Sequence, residues 1–379
     1  MPNARIRELD GLRALAVLAV MSFHYTIGGP LANRVTRMGW VGVDLFFVLS
    51  GYLITGILLE SCRRARYFRT FYARRTLRIF PIYYLLLAVY VLSARIAGGP
   101  QPWLYWAMHA AYLSSIVEHF HYWHIRAPLF VFAGVTVLWS LSIEEQFYLL
   151  WAPVVRLVST RRLWRGLGAR VLAAPVLRWI IHNPGGSEYR FLPARFDDLA
   201  WGAGLALLEF RRGRWAAKRW LGVALGAGAA VAVLVATTGG ARASHWFSTL
   251  GYSAIGILFA SLLGWTLARS GTNAAACRLL RSAPLQTLGR VSYAFYLIHY
   301  PVFMLVGSRL GWLGAGPLEA AVRAAISLGL SLLLAMLSWR YLEGPILRFK
   351  DRWAPALGQA GHARAKKAEP PPAAVRMRG

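Results

Sequence analysis

The chain has 379 residues, 57% of them hydrophobic and 15% charged, where an average soluble protein has about 25% charged, and its mean hydropathy is +0.44. Apolar residues fall in long runs from near the first residue to about residue 345, which excludes a soluble enzyme, a secreted disulfide scaffold and a disordered chain, and leaves a polytopic helical membrane protein. The formal charge of +28 would suit a nucleic-acid binder, so the positions of the cations decide how to read it.

A crossing helix needs roughly 17 to 25 mostly apolar residues. Such runs lie at 9–29, 41–60, 77–97, 136–155, 167–182, 193–210, 219–238, 246–267, 290–310 and 318–342, with a shorter apolar piece at 104–117. The first run imitates a secretory signal, but it lacks a small-residue cleavage site and is interrupted by Arg13, so it reads as a retained span. Basic residues concentrate in the N-terminal flank, in 61–78, 156–170, 211–219 and 268–290, and after residue 345. The retention of Lys and Arg on the cytoplasmic side places all of these inside.

If 104–117 crossed the bilayer fully, Arg156, Arg161, Arg162, Arg165 and Arg170 would all lie outside. A re-entrant or interfacial half-helix keeps every basic loop inside. The expected fold is therefore an all-α polytopic membrane protein with about ten transmembrane helices plus that half-helix, both termini cytoplasmic. Residues 1–350 form the membrane domain, and 351–379, rich in Pro, Ala, Lys and Arg, form a disordered cytoplasmic tail. Most of the positive charge then orients spans and faces anionic lipid, and no nucleic-acid partner is expected. Cys62 and Cys277 adjoin the cytosolic segments, where thiols stay reduced, so no disulfide is expected.

Ionisable groups at membrane depth cost on the order of a few kcal/mol unless paired or hydrated. Arg13 and His24 are eleven residues apart in the first span, on one helix face and about 16 Å from each other. The segment GVDLFFVLSGYLITG places Asp44 one turn inside its span, with Ser50 and Tyr52 deeper, and its glycines also suit plain helix packing. In LWSLSIEEQFYLLW, Ser140, Glu144 and Tyr148 follow at i,i+4 spacing, while Glu145 points roughly 100° away. One of these glutamates should pair with a histidine or arginine from another span. RFDDLAWGAG carries Arg195, Asp197 and Asp198, and GRVSYAFYLIHYPVF carries Tyr293, Tyr296 and His299. His119, His121 and His124 in an aromatic outer loop match no strong metal-ligand spacing, and no metal is expected.

At the cytosolic ends of the spans, Arg13 and the FYARRTLRIFP stretch with Arg74, Arg75 and Arg78 present guanidinium forks suited to phosphate, although the same arginines also serve to orient the spans. Deeper in lie a histidine and a carboxylate, the minimum set for a general base and a group that orients it. Together they suggest group transfer across a membrane, from a phosphate-bearing donor inside to a hydroxyl deprotonated by His24. A transporter or flippase would use similar intramembrane charges, but the DGLR, VDLFF and WSLSIEE blocks occur once each, with no similarity between halves.

LDGLRALAVLAVMSFHY, GVDLFFVLSGYLI, FYARRTLRIFP, LWSLSIEEQFYLLW, LGRVSYAFYLIHYPV and WRYLEGPILRFK, in that order over about residues 8 to 350, resemble the acyltransferase-3 family of membrane O-acyltransferases. The resemblance implies transfer of an acyl group, usually acetyl, from cytosolic acyl-coenzyme A to a hydroxyl of a glycan or of a glycosylated product such as a macrolide, in a bacterial plasma membrane. It matches Arg13, His24, the basic motif with Arg74, Arg75 and Arg78, and Glu144 to family positions. The chain stops soon after its last span and so resembles stand-alone members rather than those with a fused SGNH-type domain. On this reading His24, oriented by Glu144, with Glu145 beside it, deprotonates the acceptor. Arg13, Arg74, Arg75 and Arg78 hold the coenzyme's phosphates. Ser50, Tyr52, Tyr296, His299, Asp44, Arg195 and Asp198 are candidates for substrate or oxyanion contacts.

Overall fold

The computed structural model describes residues 6–353 apart from 27–28, 99–101, 121–127, 184, 241 and 243. The described chain is helical throughout, with no strand among the described residues. In order the helices are α1 (Arg7–Thr26), the single turn α2 (Arg34–Arg37), α3 (Gly42–Ser61), α4 (Tyr67–Ile96), α5 (Trp103–Ala110), α6 (Ser114–Phe120), α7 (Leu129–Thr136) and α8 (Leu138–Leu157). They continue as α9 (Thr160–Ile181), α10 (Leu192–Arg212), α11 (Ala217–Thr238), α12 (Tyr252–Arg269), α13 (Ala275–Leu280), α14 (Ala283–Arg309), α15 (Pro317–Ser338) and α16 (Gly344–Trp353). The expected tail thus begins inside α16, and residues 354–379 lie outside the described residues, as do His121 and His124.

Among the described residues, seven helical stretches are long and apolar enough to cross a membrane: Gly39–Ser61, Tyr67–Ile96, Leu129–Leu157, Ala217–Thr238, Phe247–Arg269, Ala283–Arg309 and Pro317–Arg348. Helices α1, α9 and α10 have comparable length but carry more charge, including Asp10, Arg13, Arg178, Arg195 and Asp197. The polar side chains that line the cavities within the bundle come largely from α1 and from the faces that α3, α4, α8 and α14 turn inward.

Two segments differ from their sequence expectation. Residues 67–78 are not a loop: α4 begins at Tyr67 and carries Arg74, Arg75 and Arg78 on helix, because Ala, Arg and Leu are good helix formers and arginine stems can lie along apolar surface. The apolar piece 104–117 is broken into α5 and α6 around Tyr112, whose φ is +56°. Their 8 and 7 residues give roughly 12 and 10 Å of helix, too short for a hydrocarbon core of about 30 Å.

Helix α1 packs against α14 and α3, and α3 packs in turn on α10 and α8. The α3–α10 contact is backbone to backbone: a Cβ at Gly51 would collide with the Leu199 carbonyl, and one at Gly202 with the Val48 carbonyl. Small residues at such crossings replace the hydrophobic drive that is absent between helices in lipid. Helix α11 packs on α12 at the periphery and has only 6% of its apolar stretch buried, as suits a lipid-facing helix. Cys62 and Cys277 are free thiols.

Candidate active site

A cavity of about 1140 Å³ opens at the end of the bundle where the basic segments gather. Its charged wall residues are Arg13, Arg78, Arg214 and Arg290 against Asp10, Glu60, Glu209 and Glu343. Several of the acids are engaged: Arg13 donates to Asp10 at 3.1 Å, Tyr52 donates to Glu209 at 2.8 Å, and Ser338 donates to Glu343 at 2.9 Å. Helix α15 runs into a wide turn at Trp339–Glu343, which sets both Trp339 and Glu343 in the cavity wall. Insertions of this kind re-aim side chains without ending a helix.

Beyond this mouth lies an inner chamber of about 100 Å³ that shares Arg13, Leu53, Arg78 and Tyr293 with it. Arg75 joins Arg13 and Arg78 in the chamber wall, against the single carboxylate Glu144. Ser140, Glu144 and Tyr148 line one side of it from α8, and Ser50 faces them from α3. Ser50 donates to Glu144 Oε1 at 2.8 Å, while Tyr148 reaches Glu144 Oε2 at 3.1 Å and the Ser50 oxygen at 3.2 Å. The Arg75 guanidinium sits 5.5 Å from the centre of the Tyr148 ring. The Tyr296 hydroxyl, paired with Ser140 at 2.6 Å, closes another part of the wall.

One turn further along α14 is the histidine pair. His24 Nδ1 lies 2.9 Å from His299 Nε2, and His299 Nδ1 lies 2.7 Å from the Tyr296 carbonyl. A carbonyl only accepts, so His299 carries its proton on Nδ1, and in the neutral ring its Nε2 must accept. His24 Nδ1 is then the donor, which leaves His24 Nε2 with an open lone pair. That is the tautomer a general base needs. Tyr300 stacks on the His24 ring at 4.4 Å, and Tyr25 donates to the His299 carbonyl at 3.1 Å.

The expected His24–Glu144 pairing does not form. His299 holds His24, and Glu144 is held by Ser50 and Tyr148. Neither glutamate has the expected histidine or arginine as a hydrogen-bond partner; Glu144 instead takes hydroxyl donors, and Glu145 points out of the chamber with Oε1 buried and without a hydrogen-bond partner among the described residues. Arg74 lines neither cavity, unlike Arg13, Arg75 and Arg78.

Asp44, Arg195 and Asp198 also lie outside both cavities. All three are fully buried, and Arg195 bridges Asp44 of α3 and Asp198 of its own helix, the latter at 2.6 Å. Its guanidinium packs over the rings of Tyr189 and Tyr252 at 4.7 and 4.4 Å. A parallel pair, Arg178 with Asp197, ties α9 to α10 at 2.9 and 3.0 Å. Both sets of ions are buried away from the two cavities and link helices, Arg195 joining α10 to α3 and Arg178 joining α9 to α10. His119 is likewise occupied, with Nδ1 3.0 Å from the Ser187 carbonyl. Among the described residues no group of three or more His, Cys, Asp or Glu could hold a metal ion.

Sequence reasoning passed over Arg214, Glu209, Arg290 and Tyr300. The first three sit where apolar runs meet basic loops and read as flanks, and Tyr300 gains meaning only from the ring stacked on it.

A helical membrane bundle with a charged mouth, an inner hydroxyl–carboxylate cluster and a histidine held in its base tautomer has the parts of an intramembrane transferase. The family model described as an acyltransferase domain matches residues 6–340. The chain belongs to this acyltransferase-3 family, whose members transfer acyl groups. It is similar to the peptidoglycan O-acetyltransferase OatA of Listeria monocytogenes, at 29% identity over 373 residues covering 90% of this chain and 56% of that one. It is also similar to the O-acetyltransferase OatA of Staphylococcus aureus, at 30% identity over 363 residues covering 89% and 56%. The chain thus spans little more than half the length of these curated relatives. No solved structure matches it.

Proposed function

We propose that this chain is a bacterial plasma-membrane O-acyltransferase that takes an acetyl group from acyl-coenzyme A in the cytosol and passes it to a hydroxyl of a cell-envelope glycan or another glycosylated acceptor. The observation that carries this reading is the adjacency of the two cavities, which share Arg13, Leu53, Arg78 and Tyr293 in their walls. A donor with an anionic head and a long thin arm fits that shape. Its phosphates suit the junction, where Arg13 and Arg78 line both cavities and Arg75 follows in the inner chamber, three cations against that chamber's one carboxylate. Its ribose hydroxyls and adenine amino group suit the carboxylates of the mouth, which can only accept. The pantetheine arm then points its thioester at Ser50, Glu144 and Tyr148.

The relatives' names support an acetyl group and, for one of them, a peptidoglycan acceptor. His24 acts as base for the acceptor hydroxyl, with His299 fixing its tautomer. The topology that fits this direction of transfer has ten spans, α5 and α6 at the interface without crossing, and both termini in the cytosol. The test is thioester loss from labelled acetyl-coenzyme A by the full chain in proteoliposomes. Acceptor-dependent release of free coenzyme A that His24→Ala abolishes is expected. An active His24→Ala variant, or a protein that neither binds nor consumes the donor, overturns the reading.

A further inference from the structure

The Ser50–Glu144 contact has no part in holding a donor's phosphates. Ser50 presents its hydroxyl to a carboxylate at 2.8 Å inside the chamber where the thioester would arrive, while His24 lines neither cavity. A serine in hydrogen-bond contact with a base, beside a further hydroxyl donor, is the arrangement of an activated nucleophile. Building on that donor reading, we propose that Ser50 is the nucleophile of a two-step transfer, carrying the acyl group as an ester before the acceptor receives it.

In the first step Ser50 Oγ attacks the thioester carbonyl carbon and Glu144 takes the hydroxyl proton. The carbon–sulfur bond breaks, and the coenzyme leaves as thiol with the proton returned by Glu144. The Tyr148 hydroxyl, 3.2 Å from Ser50 Oγ, is placed to donate to the oxyanion, a role that preorganised donors fill in acyl transfer. In the second step the acceptor hydroxyl attacks the ester carbon, His24 removes its proton, and the net proton ends on Ser50 Oγ as the serine is restored. No oxidant, reductant or metal is needed.

Three features favour this division of labour over direct transfer. Glu144 has no role in orienting His24, because His299 does that, so it is available to Ser50. Ser50 and Glu144 are partly accessible whereas their neighbours Leu49 and Ile143 are buried, which leaves the nucleophile open to the chamber. Tyr296 is at once a wall of that chamber and the residue whose carbonyl holds His299. Three residues along α14, roughly 4.5 Å of rise, therefore separate the chamber wall from the residue that holds the acceptor's base. A donor-side nucleophile and an acceptor-side base can thus serve one acyl group without donor and acceptor binding at the same time.

The test is to incubate the purified full chain with isotopically labelled acetyl-coenzyme A without acceptor, quench in acid and digest for mass spectrometry. One hydroxylamine-labile acetyl ester on the peptide holding Ser50 is expected. It should accumulate in His24→Ala, discharge from the wild type when a glycan acceptor is added, and vanish in Ser50→Ala. Ser50→Cys, close in size, guards against a folding defect by carrying the acetyl as a thioester. Acceptor-dependent coenzyme A release with no label on Ser50, or undiminished turnover by Ser50→Ala, overturns the covalent step while leaving the donor reading intact. Failure to consume the donor in any combination overturns both.

Discussion

His24 Nδ1 and His299 Nε2 face each other at 2.9 Å across 275 residues of chain. Because the Tyr296 carbonyl fixes the proton on His299 Nδ1, the contact sets which nitrogen of His24 remains basic. Replacing His299 with Phe keeps a ring in the space but removes the acceptor. His24 is then free to take the other tautomer, and loss of base alignment costs up to the 10²–10⁴-fold that a positioned base typically supplies. The expected outcome is a kcat lower by about 10- to 100-fold with donor KM unchanged. Steady-state kinetics of His299→Phe with acetyl-coenzyme A check it, and a KM effect alone would count against it.

The arginines divide by position. Arg13 and Arg78 line both cavities, whereas Arg74 lines neither. A charge-assisted hydrogen bond contributes about 1.5–3 kcal/mol, so Arg13→Gln and Arg78→Gln should each raise donor KM or the inhibition constant of free coenzyme A by roughly 10- to 100-fold. Arg74→Gln should change either constant much less. Equal effects at Arg74 and Arg78 would remove the donor from the junction of the cavities.

The helices were legible because apolar runs and basic flanks are local properties of the chain, and the ionisable groups within the bundle were legible because a carboxylate or imidazole within an apolar run is conspicuous. Pairing was not. Asp44 and Arg195 are 151 positions apart, and in the sequence each looks like an unpaired charge available to substrate, yet the structure brings them together as fully buried partners. The sequence likewise suggests Glu144 as the partner of His24, since both lie in spans and each needs one, but packing gives those places to His299 and Ser50. The break at Tyr112 was also hidden, because a left-handed conformation at a tyrosine has no sequence signature of the kind glycine gives.

The Asp44–Arg195–Asp198 cluster should behave as a brace. Asp44 is the link between α3 and Arg195 of α10, and Asp44→Asn removes it while Arg195 keeps Asp198 as counter-ion, so the cost is that of one buried charge-assisted contact, about 1.5–3 kcal/mol. Asp44→Asn should therefore lower the thermal unfolding midpoint in detergent and reduce the yield of folded protein. The donor KM of the surviving fraction should stay at the wild-type value, since the cluster lies outside both cavities. A stable Asp44→Asn protein with a large change in acceptor KM would return Asp44 to the substrate site.

The α3–α10 crossing makes the last prediction, and it bears on the nucleophile's placement because Gly51 follows Ser50 directly. A methyl at Gly51 meets the Leu199 carbonyl, which belongs to helix backbone and cannot swing aside, whereas a methyl at Gly204 meets nothing within 4 Å. Overpacking a tight contact costs about 1–3 kcal/mol, while an unobstructed Gly-to-Ala change within a helix contributes up to about 1 kcal/mol of stability. Gly51→Ala should thus lower the unfolding midpoint, and by pushing α3 away from α10 it should shift Ser50 against Glu144 and reduce kcat. Gly204→Ala should leave the midpoint equal or higher and the kinetics unchanged. If both variants unfold alike, the two helices are not in backbone contact, and the geometry assigned to the Ser50 side of the chamber fails with it.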